Sequence, residues 1–191
     1  MRRAIILDRD GTLIEDKGYE HRVESMRIYP GVIEGLKLLG GRYLFFIVTN
    51  QPGIGEGRYT EQDFHTFNSH LVDELAQEGI RVEKTYYCPH RRDSACDCRK
   101  PGLKHMKSIE SEFGIDLASS WVLGDHPSDI IMGRNAGCMT AYLLTGHGQK
   151  HCLELGHKGI VPSIVEAGFL SAARRIADGP GNPPCAPTST K

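Results

Sequence analysis

Apolar runs and helical patterns alternate along most of this chain. Mainly apolar runs occupy positions 4–7, 43–48, 121–123 and 140–144, and a further strand is predicted over 82–87. Such runs are typical of strands that are buried on both faces of a parallel sheet. Between them, apolar residues recur at the three- and four-residue spacing of an amphipathic helix. These helical patterns cover 32–39, 60–75, 103–113 and 130–137. The alternation predicts an α/β fold with a doubly wound parallel sheet.

The remaining segments are less regular. Positions 15–28 are polar and irregular, and 52–57 are predicted to form a glycine-rich loop. A last short strand is expected at 160–161, followed by a helix over about 164–177. The final stretch, 178–191, is rich in Pro, Gly, Ser and Thr without periodicity, so we expect it to be disordered.

Length and composition narrow the class of protein. The chain has 191 residues, enough for one domain over 1–177 with no large cap. Its net charge is −1, and no basic patch suggests a nucleic-acid partner. No stretch approaches the ~20 apolar residues that cross a membrane, and the start lacks the apolar core of a signal peptide. We therefore expect a cytoplasmic enzyme, and a monomer because no apolar stripe is left over.

Two carboxylates follow the first strand directly. Asp8 and Asp10 stand one residue apart and are followed by Gly11 and Thr12. In an open α/β sheet, ligands bind beyond the carboxyl ends of the strands. Two acids held there repel each other unless a cation or a shared proton intervenes, and Mg²⁺ with its oxygen ligands meets that need. An Asp-Gly turn without function is the alternative for the pair alone.

Two further strands also end in polar residues. Thr49, Asn50 and Gln51 offer a hydroxyl and two amides that can donate hydrogen bonds to phosphoryl oxygens, with a polar turn as the alternative. Asp125 follows the fourth predicted strand and can add a third carboxylate to the cation site. Asp129 lies near a helix start, where an acid is favoured in any case, so we expect only a supporting role for it.

A cluster of sulfur and nitrogen ligands follows the third strand. Cys88, His90, Cys96 and Cys98 provide three thiolates and an imidazole within eleven residues. This set predicts a tetrahedral zinc site, structural because no position stays open; reduced, unliganded thiols are the alternative. The site would order a loop that is short of apolar residues.

Two basic residues come directly after this cluster. Lys100 can neutralise a transferring phosphoryl group, and Arg99 can clamp a second phosphate in a bidentate way. Solvated charges in a loop are the alternative for the two residues alone.

The string D-R-D-G-T-L at 8–13 resembles the first motif of the haloacid dehalogenase (HAD) superfamily, whose phosphatases form an aspartyl-phosphate. The T-N-Q segment resembles the second HAD motif, and the resemblance extends over about 4–177. The loop with the predicted zinc ligands, at 88–98, is called the zinc loop. Together with C-R-K-P at 98–101, it resembles a narrower group of heptose 1,7-bisphosphate phosphatases and histidinol phosphatases.

One segment favours the heptose enzymes within this group. Asp16, Lys17, Gly18 and Tyr19 resemble a D-x-G-Y segment that contacts substrate in those enzymes. Three features depart from their pattern. The spacer of the zinc loop is short, P-G-L-K follows the basic pair, and His126 stands where a substrate-binding lysine is common. A surface histidine without function is the alternative reading of His126.

The resemblance implies a mechanism. Asp8 would attack phosphorus and Asp10 would act as general acid and then general base. Mg²⁺ would be held by Asp8, the backbone carbonyl of Asp10, and Asp125, with Lys100 and Thr49 offsetting phosphoryl charge.

The resemblance also implies a substrate. It would be a sugar bisphosphate that loses its C7 phosphate in the synthesis of nucleotide-activated heptose for lipopolysaccharide or another glycan. Arg99 would bind the phosphate at C1, and the substrate would also contact Asn50, Gln51 and His126. A histidinol-phosphate phosphatase and a zinc-stabilised binding module without catalysis are the competing hypotheses.

Overall fold

In the computed structural model, which describes residues 2–179, one parallel sheet forms the centre of the molecule. The strands are β1 (Ala4–Leu7), β2 (Leu44–Asn50), β3 (Val82–Cys88), β4 (Trp121–Gly124), β5 (Met139–Leu143) and β6 (Ile164–Glu166). Their order across the sheet is β3-β2-β1-β4-β5-β6, and every neighbouring pair is parallel. The predicted doubly wound sheet is confirmed.

Helices cover both faces of the sheet. They are α1 (Val32–Leu39), α2 (Pro52–Gly55), α3 (Glu61–Gln77), α4 (Lys104–Phe113), α5 (Pro127–Asn135), α6 (Gly148–His157) and α7 (Phe169–Asp178). Side chains of β1 alternate between two cores because successive strand residues face opposite sides. Ile5 and Leu7 pack with α1, α3 and α7, whereas Ala4 and Ile6 pack with α4 and α5. Both faces of β1 are therefore buried, which explains its uninterrupted apolar sequence.

Local signals fixed several helix ends as expected. Thr60 caps α3, and its hydroxyl accepts from the Asp63 amide while the Asp63 carboxylate accepts from the Thr60 amide. This reciprocal pair is a capping box. Gly114 ends α4 in the left-handed region at φ 63°, where a glycine is favoured.

Three sequence expectations at the far edge of the sheet and in one loop were wrong. No strand forms at 160–161, and Val161 is 72% exposed. The last strand is β6, which lies in the segment predicted as helix, and α7 begins only at Phe169. The strand forms here because Ser163 and Thr140 exchange hydrogen bonds between each amide and the other hydroxyl, at 3.0 and 3.2 Å. Within 52–57, α2 replaces part of the predicted loop, with Pro52 at its first position, where proline suits a helix.

The carboxyl end of the chain is described only in part. Asp178, placed in the predicted disordered tail, is the last residue of α7. Positions 180–191 lie outside the described residues, so their predicted disorder stays a prediction. Between residues 2 and 179, no helix is both long and apolar enough to span a bilayer.

The register of the central strands brings their carboxyl ends to one level. Leu7 of β1 pairs with Ile47 of β2 on one side and with Leu123 of β4 on the other. The residues that follow these positions in sequence are those with the candidate chemistry. The sheet therefore presents Asp8, Thr49 and Asp125 at one edge, as the sequence predicts.

Candidate active site

Three buried carboxylates meet at this edge. Oxygen atoms of Asp8, Asp125 and Asp129 lie within 4.8 Å of one another. The position of Asp8 is fixed by its amide, which donates to the Leu123 carbonyl at 2.9 Å. Carboxylate oxygens gathered in this way are the ligands that a hard divalent cation prefers. Asp8 and Asp125 lie where the sequence predicts, and Asp129 joins them directly.

Burial makes two of these acids, Asp8 and Asp125, costly to ionise. It raises the pKa of Asp8 well above its ordinary value, against the opposing effect of Lys100. Burial, with the nearby Asp129 charge, raises the pKa of Asp125 to about 7, although the His147 amide donates to Asp125 Oδ2 at 2.8 Å. A cation bound among these acids would favour their ionised forms.

Lys100 is buried against the acids. Its Nζ lies 2.6 Å from Asp8 Oδ1 and 2.7 Å from Asp129 Oδ1, and it donates to the Val48 carbonyl at 2.8 Å. Burial by itself would lower the pKa of Lys100, but Asp129 and Asp8 raise it above its ordinary value. The ammonium is therefore charged at neutral pH and sits beside the carboxylate that we expect to react.

The backbone of Lys100 is held by Asn50 at the end of β2. The Lys100 amide donates to Asn50 Oδ1 at 3.0 Å, and Asn50 Nδ2 donates to the Lys100 carbonyl at 3.5 Å. The Asn50 amide, expected to contact substrate, thus makes its hydrogen bonds to the peptide groups of Lys100 while it also lines the cavity.

Glycines make room for two of the acids. A Cβ on Gly11 would lie 2.1 Å from Asp125 Oδ2, and one on Gly146 would lie 2.3 Å from the same atom. Both glycines also have positive φ, at 85° and 48°. On Gly124, a Cβ would lie 2.3 Å from Asp129 Cγ. No side chain fits at these positions without displacing a carboxylate.

Asp10 is not one of the three acids in the cluster. Its carboxylate accepts from Arg9, from Gln51 Nε2 at 2.8 Å and from the Thr49 hydroxyl at 3.3 Å. Gln51, predicted to contact substrate, is buried behind Asp10, and its Oε1 accepts from the Tyr59 hydroxyl. Asp10 itself lines the cavity, as does Thr49.

The predicted zinc ligands come together. The Sγ atoms of Cys88 and Cys96 are 3.7 Å apart, and His90 Nδ1 lies 3.6 Å from Cys88 Sγ and 3.2 Å from Cys98 Sγ. Tetrahedral zinc with Zn–S bonds of about 2.3 Å separates its sulfur ligands by roughly 3.8 Å. The spacing of these side chains is therefore compatible with a zinc ion.

A cavity of about 550 Å³ opens above Asp8 and the acid cluster. The zinc loop supplies Arg92 and Arg99 on one side, and the Arg99 guanidinium donates to the His90 carbonyl at 2.7 Å. Asp16 and His147 line another side. The size suits a sugar phosphate, and the lining is polar and charged.

The D-K-G-Y segment is divided between the cavity and the surface. Only Asp16 is among the cavity-lining residues; Lys17 donates to the Ser25 carbonyl, and Gly18 turns the chain at φ 73°. The Tyr19 ring lies near the Arg58 and Arg92 guanidinium groups, at 5.4 and 6.0 Å.

His126 lies at the cavity and begins α5. Its Nδ1 accepts from the Ser128 amide at 3.2 Å, which places the proton of the neutral ring on Nε2. Burial lowers the pKa of His126, so the ring stays neutral at pH 7.

The sequence reasoning missed the buried Arg9 and Tyr59, and it did not place Asp129 within the acid cluster. The signal for Asp129 was its place at the third position of α5, where its Oδ2 accepts from the His126 amide at 3.1 Å. The acid was interpreted as a helix cap, and it is one, but its other oxygen contacts Lys100.

Comparison with known proteins gives close sequence relatives. Residues 97–167 match the HAD-hydrolase-like family model. A protein named as a probable D-glycero-D-manno-heptose-1,7-bisphosphate 7-phosphatase, from Thermoplasma acidophilum, is 39% identical over 71% of this chain and 86% of its own. The α-heptose enzyme of Campylobacter jejuni is 37% identical over 74% of this chain and 82% of its own. The β-heptose enzyme of Pasteurella multocida is 37% identical over 71% and 78%.

A solved structure agrees with these relatives. The D,D-heptose 1,7-bisphosphate phosphatase from B. bronchiseptica, complexed with magnesium and phosphate, superposes with a TM-score of 0.83. It is 26% identical, and the match covers 92% of this chain and 98% of that one.

Proposed function

Because the chain belongs to the family of D-glycero-D-manno-heptose-1,7-bisphosphate 7-phosphatases within the HAD-like hydrolases, we propose that it removes the C7 phosphate of a heptose 1,7-bisphosphate. The observation that carries the proposal is the contact of 2.6 Å between Asp8 Oδ1 and Lys100 Nζ at the floor of the cavity. A carboxylate and an ammonium fixed together in a buried, acid-rich site suit phosphoryl transfer to the carboxylate.

Asp8 acts as the nucleophile in this proposal. Its carboxylate attacks phosphorus, and the bond to the sugar oxygen breaks as the aspartyl-phosphate forms. Lys100 is placed to offset the negative charge on the phosphoryl oxygens, since its Nζ is already beside the attacking group. Thr49, which also lines the cavity, can donate to a phosphoryl oxygen.

Asp10 acts as the acid and base. It gives a proton to the leaving sugar oxygen and later takes one from the water that hydrolyses the intermediate. Its carboxylate lines the same cavity as Asp8 and is two residues away in the turn after β1.

Two metal ions belong to the proposal. Asp8, Asp125, the backbone carbonyl of Asp10 and, on the present geometry, Asp129 would hold Mg²⁺, which when bound supplies positive charge at the transferring phosphoryl group. Zinc would be held by Cys88, His90, Cys96 and Cys98 in a structural role, because four protein ligands complete a tetrahedral site.

Substrate recognition rests on the cavity wall. Arg99 is proposed to bind the phosphate at C1, and Asp16 and His126 are proposed to contact sugar hydroxyls. Arg99 lines the cavity, and a guanidinium offers the fork of donors that pairs with a phosphate. The product would serve as a precursor of nucleotide-activated heptose.

The test measures phosphate release with Mg²⁺ from the α and β anomers of heptose 1,7-bisphosphate, heptose 7-phosphate and histidinol phosphate. We expect a clear preference for a bisphosphate anomer in kcat/KM. Arg99→Met should raise KM for the bisphosphate about tenfold or more and leave the 7-monophosphate nearly unchanged. Arg91→Met is the matched control, since Arg91 pairs with Asp93 outside the cavity. A preference for histidinol phosphate would overturn the proposed substrate.

A further inference from the structure

Arg9, the residue between the two motif aspartates, is a buried cation. Only 1% of the residue is exposed, and its guanidinium carbon lies 5.3 Å from the Phe64 ring centre and 5.0 Å from that of Phe67. Both rings come from α3. Arginine is rarely buried so completely unless it is paired, so its partner indicates what the residue does.

The partner of Arg9 is the Asp10 carboxylate. Nε lies 3.2 and 3.1 Å from the two carboxylate oxygens, and Nη2 lies 3.0 Å from Oδ1. The remaining nitrogen, Nη1, is buried and has no hydrogen-bond partner among residues 2–179. An unpaired buried N–H group and a desolvated charge both cost stability. An apolar side chain of similar length would fill the slot between the rings at lower cost, so the guanidinium is not explained by packing.

The same carboxylate is held by a second line of contacts. Gln51 Nε2 donates to Asp10 Oδ2, and the Tyr59 hydroxyl donates in turn to Gln51 Oε1. His21, from the irregular segment beside the cavity, stacks on the Tyr59 ring at 5.1 Å. The side chain of Asp10 nevertheless keeps 22% of its surface exposed. One side of the Asp10 carboxylate is therefore held by hydrogen bonds, and the other side faces the cavity.

We propose that Arg9 is a positioning residue for the acid–base step, which rests on the role given above to Asp10. When the first phosphoryl transfer occurs, the Asp10 proton moves to the sugar oxygen as the P–O bond breaks, and Asp8 becomes phosphorylated. Asp10 is left as a carboxylate, the form that the donors of Arg9, Gln51 and Thr49 stabilise. The carboxylate then takes a proton from water as the water oxygen bonds to phosphorus and Asp8 is released.

This role makes a selective prediction about leaving groups. A sugar alkoxide needs a proton to depart, whereas p-nitrophenolate departs without one, so only the first depends on a correctly placed acid. In Arg9→Met, we expect the single-turnover rate with an alkyl phosphate to fall by about 10²-fold or more. The initial burst of p-nitrophenolate from p-nitrophenyl phosphate should fall less than about tenfold. Arg9→Lys keeps the charge without the fork of donors and should lie between the parent and Arg9→Met.

A double-mutant cycle tests whether Arg9 acts through Asp10. In an Asp10→Asn background, Arg9→Met should cause little further loss with the alkyl phosphate, because coupled residues are not additive. Leu71→Ala, a buried change on α3 that leaves the Arg9 contacts in place, controls for lost stability. It should lower the melting temperature without changing the alkyl-to-aryl rate ratio.

Two results would overturn the inference: equal loss with the alkyl and aryl phosphates, or additive losses in the cycle. If Arg9→Met does not fold, the same ratio measured for Arg9→Lys decides. A wild-type rate in Asp10→Asn alone would instead refute the proposed function, since Asp10 would then have no acid–base role.

Discussion

The two regions that build the site are ordered in different ways. Asp8, Thr49 and Asp125 stand at or just beyond the ends of β1, β2 and β4, where parallel strand pairing fixes the backbone on both sides of β1. The stretch from Pro89 to Leu103 has neither helix nor strand, yet it delivers Lys100 into the buried centre. The sheet edge is ordered by the core, whereas the loop depends on its own ligands and tethers.

Lys100 belongs to the loop and contacts the sheet edge, so it links the two regions. Its ammonium contacts Asp8 of the sheet edge, and its peptide groups are held by Asn50. Cys98, two residues earlier, belongs to the proposed zinc site. Substitutions at the sheet edge should therefore reduce catalysis and leave the stability of the fold nearly unchanged. Substitutions in the loop should reduce both catalysis and stability.

The largest effect on activity should follow Asp8→Asn. The amide cannot attack phosphorus, so we expect kcat to fall by roughly 10⁴-fold or more, the scale of other nucleophile losses. The melting temperature should change little, because the strand around Asp8 is unaltered and the buried Lys100 ammonium keeps its ion pair with Asp129. Phosphate release measures kcat, and thermal unfolding measures the melting temperature. Asp73→Asn, on the exposed side of α3, is the control, and wild-type turnover by Asp8→Asn would contradict the assigned site.

Loss of the zinc site should come next and should lower both activity and stability. In Cys98→Ser, we expect less than about one zinc per chain, a lower melting temperature and a kcat reduced by about 10²-fold, since a misplaced Lys100 loses its alignment. Metal analysis, thermal unfolding and phosphate release check these outcomes.

Cys152→Ser is the matched control for the zinc prediction, because Cys152 is a free cysteine away from the cluster. Parent protein that contains no zinc and resists chelators would show that the loop orders itself without metal.

A smaller effect is expected from Asn50→Ala, which cuts the tether between the two regions and leaves both otherwise intact. Lys100 keeps its contacts to Asp8 and Asp129 but loses the hydrogen bonds to its peptide groups. We expect kcat to fall by about tenfold with a normal zinc content. A variant that lost zinc as well would show that the tether orders the whole loop. Asn68→Ala on α3 removes an amide of the same size outside the cavity.

The smallest effect concerns His105, at the start of α4 just after the loop. Burial, with Lys104 nearby, lowers the pKa of His105 below its ordinary value. The unfolded chain therefore binds a proton at a higher pH than the folded one, and the free energy of unfolding falls as pH drops through the ordinary value of 6.5.

His105→Leu should reduce this loss of stability in acid. Urea unfolding at about pH 5.5 and 7.5 tests it, and an identical pH dependence in parent and variant would contradict it.

The sequence predicted the centre of the sheet better than its far edge. β1 could be recognised because both of its faces are buried, which leaves an uninterrupted apolar run. α6 gave no such signal: it contains two glycines, and Leu153 is 76% exposed, so no apolar stripe marks it. β6 has only three residues, and its place depends on the side-chain exchange between Ser163 and Thr140.

Within the site, the sequence indicated the candidate ligands more readily than the residues that support them. The Cys/His set and the pair Asp8 and Asp10 are each local in the sequence, and Asp125 was indicated by its place after a predicted strand. Arg9 was not singled out from the sequence, since its burial depends on Phe64 and Phe67, which α3 brings back from far along the chain. The contact of Gln51 with Asp10 also joins residues that are far apart in the sequence.

The two glycines beside Asp125 carry a consequence for mutational tolerance. Gly11 and Gly146 have no reactive group, yet their α-carbons surround one carboxylate oxygen so closely that even a methyl group is excluded. A complete substitution scan should therefore find them as intolerant as the ionisable residues of the site. Selection would remove substitutions at these two positions as strongly as substitutions of Asp125 itself, because any side chain there would clash with the Asp125 carboxylate.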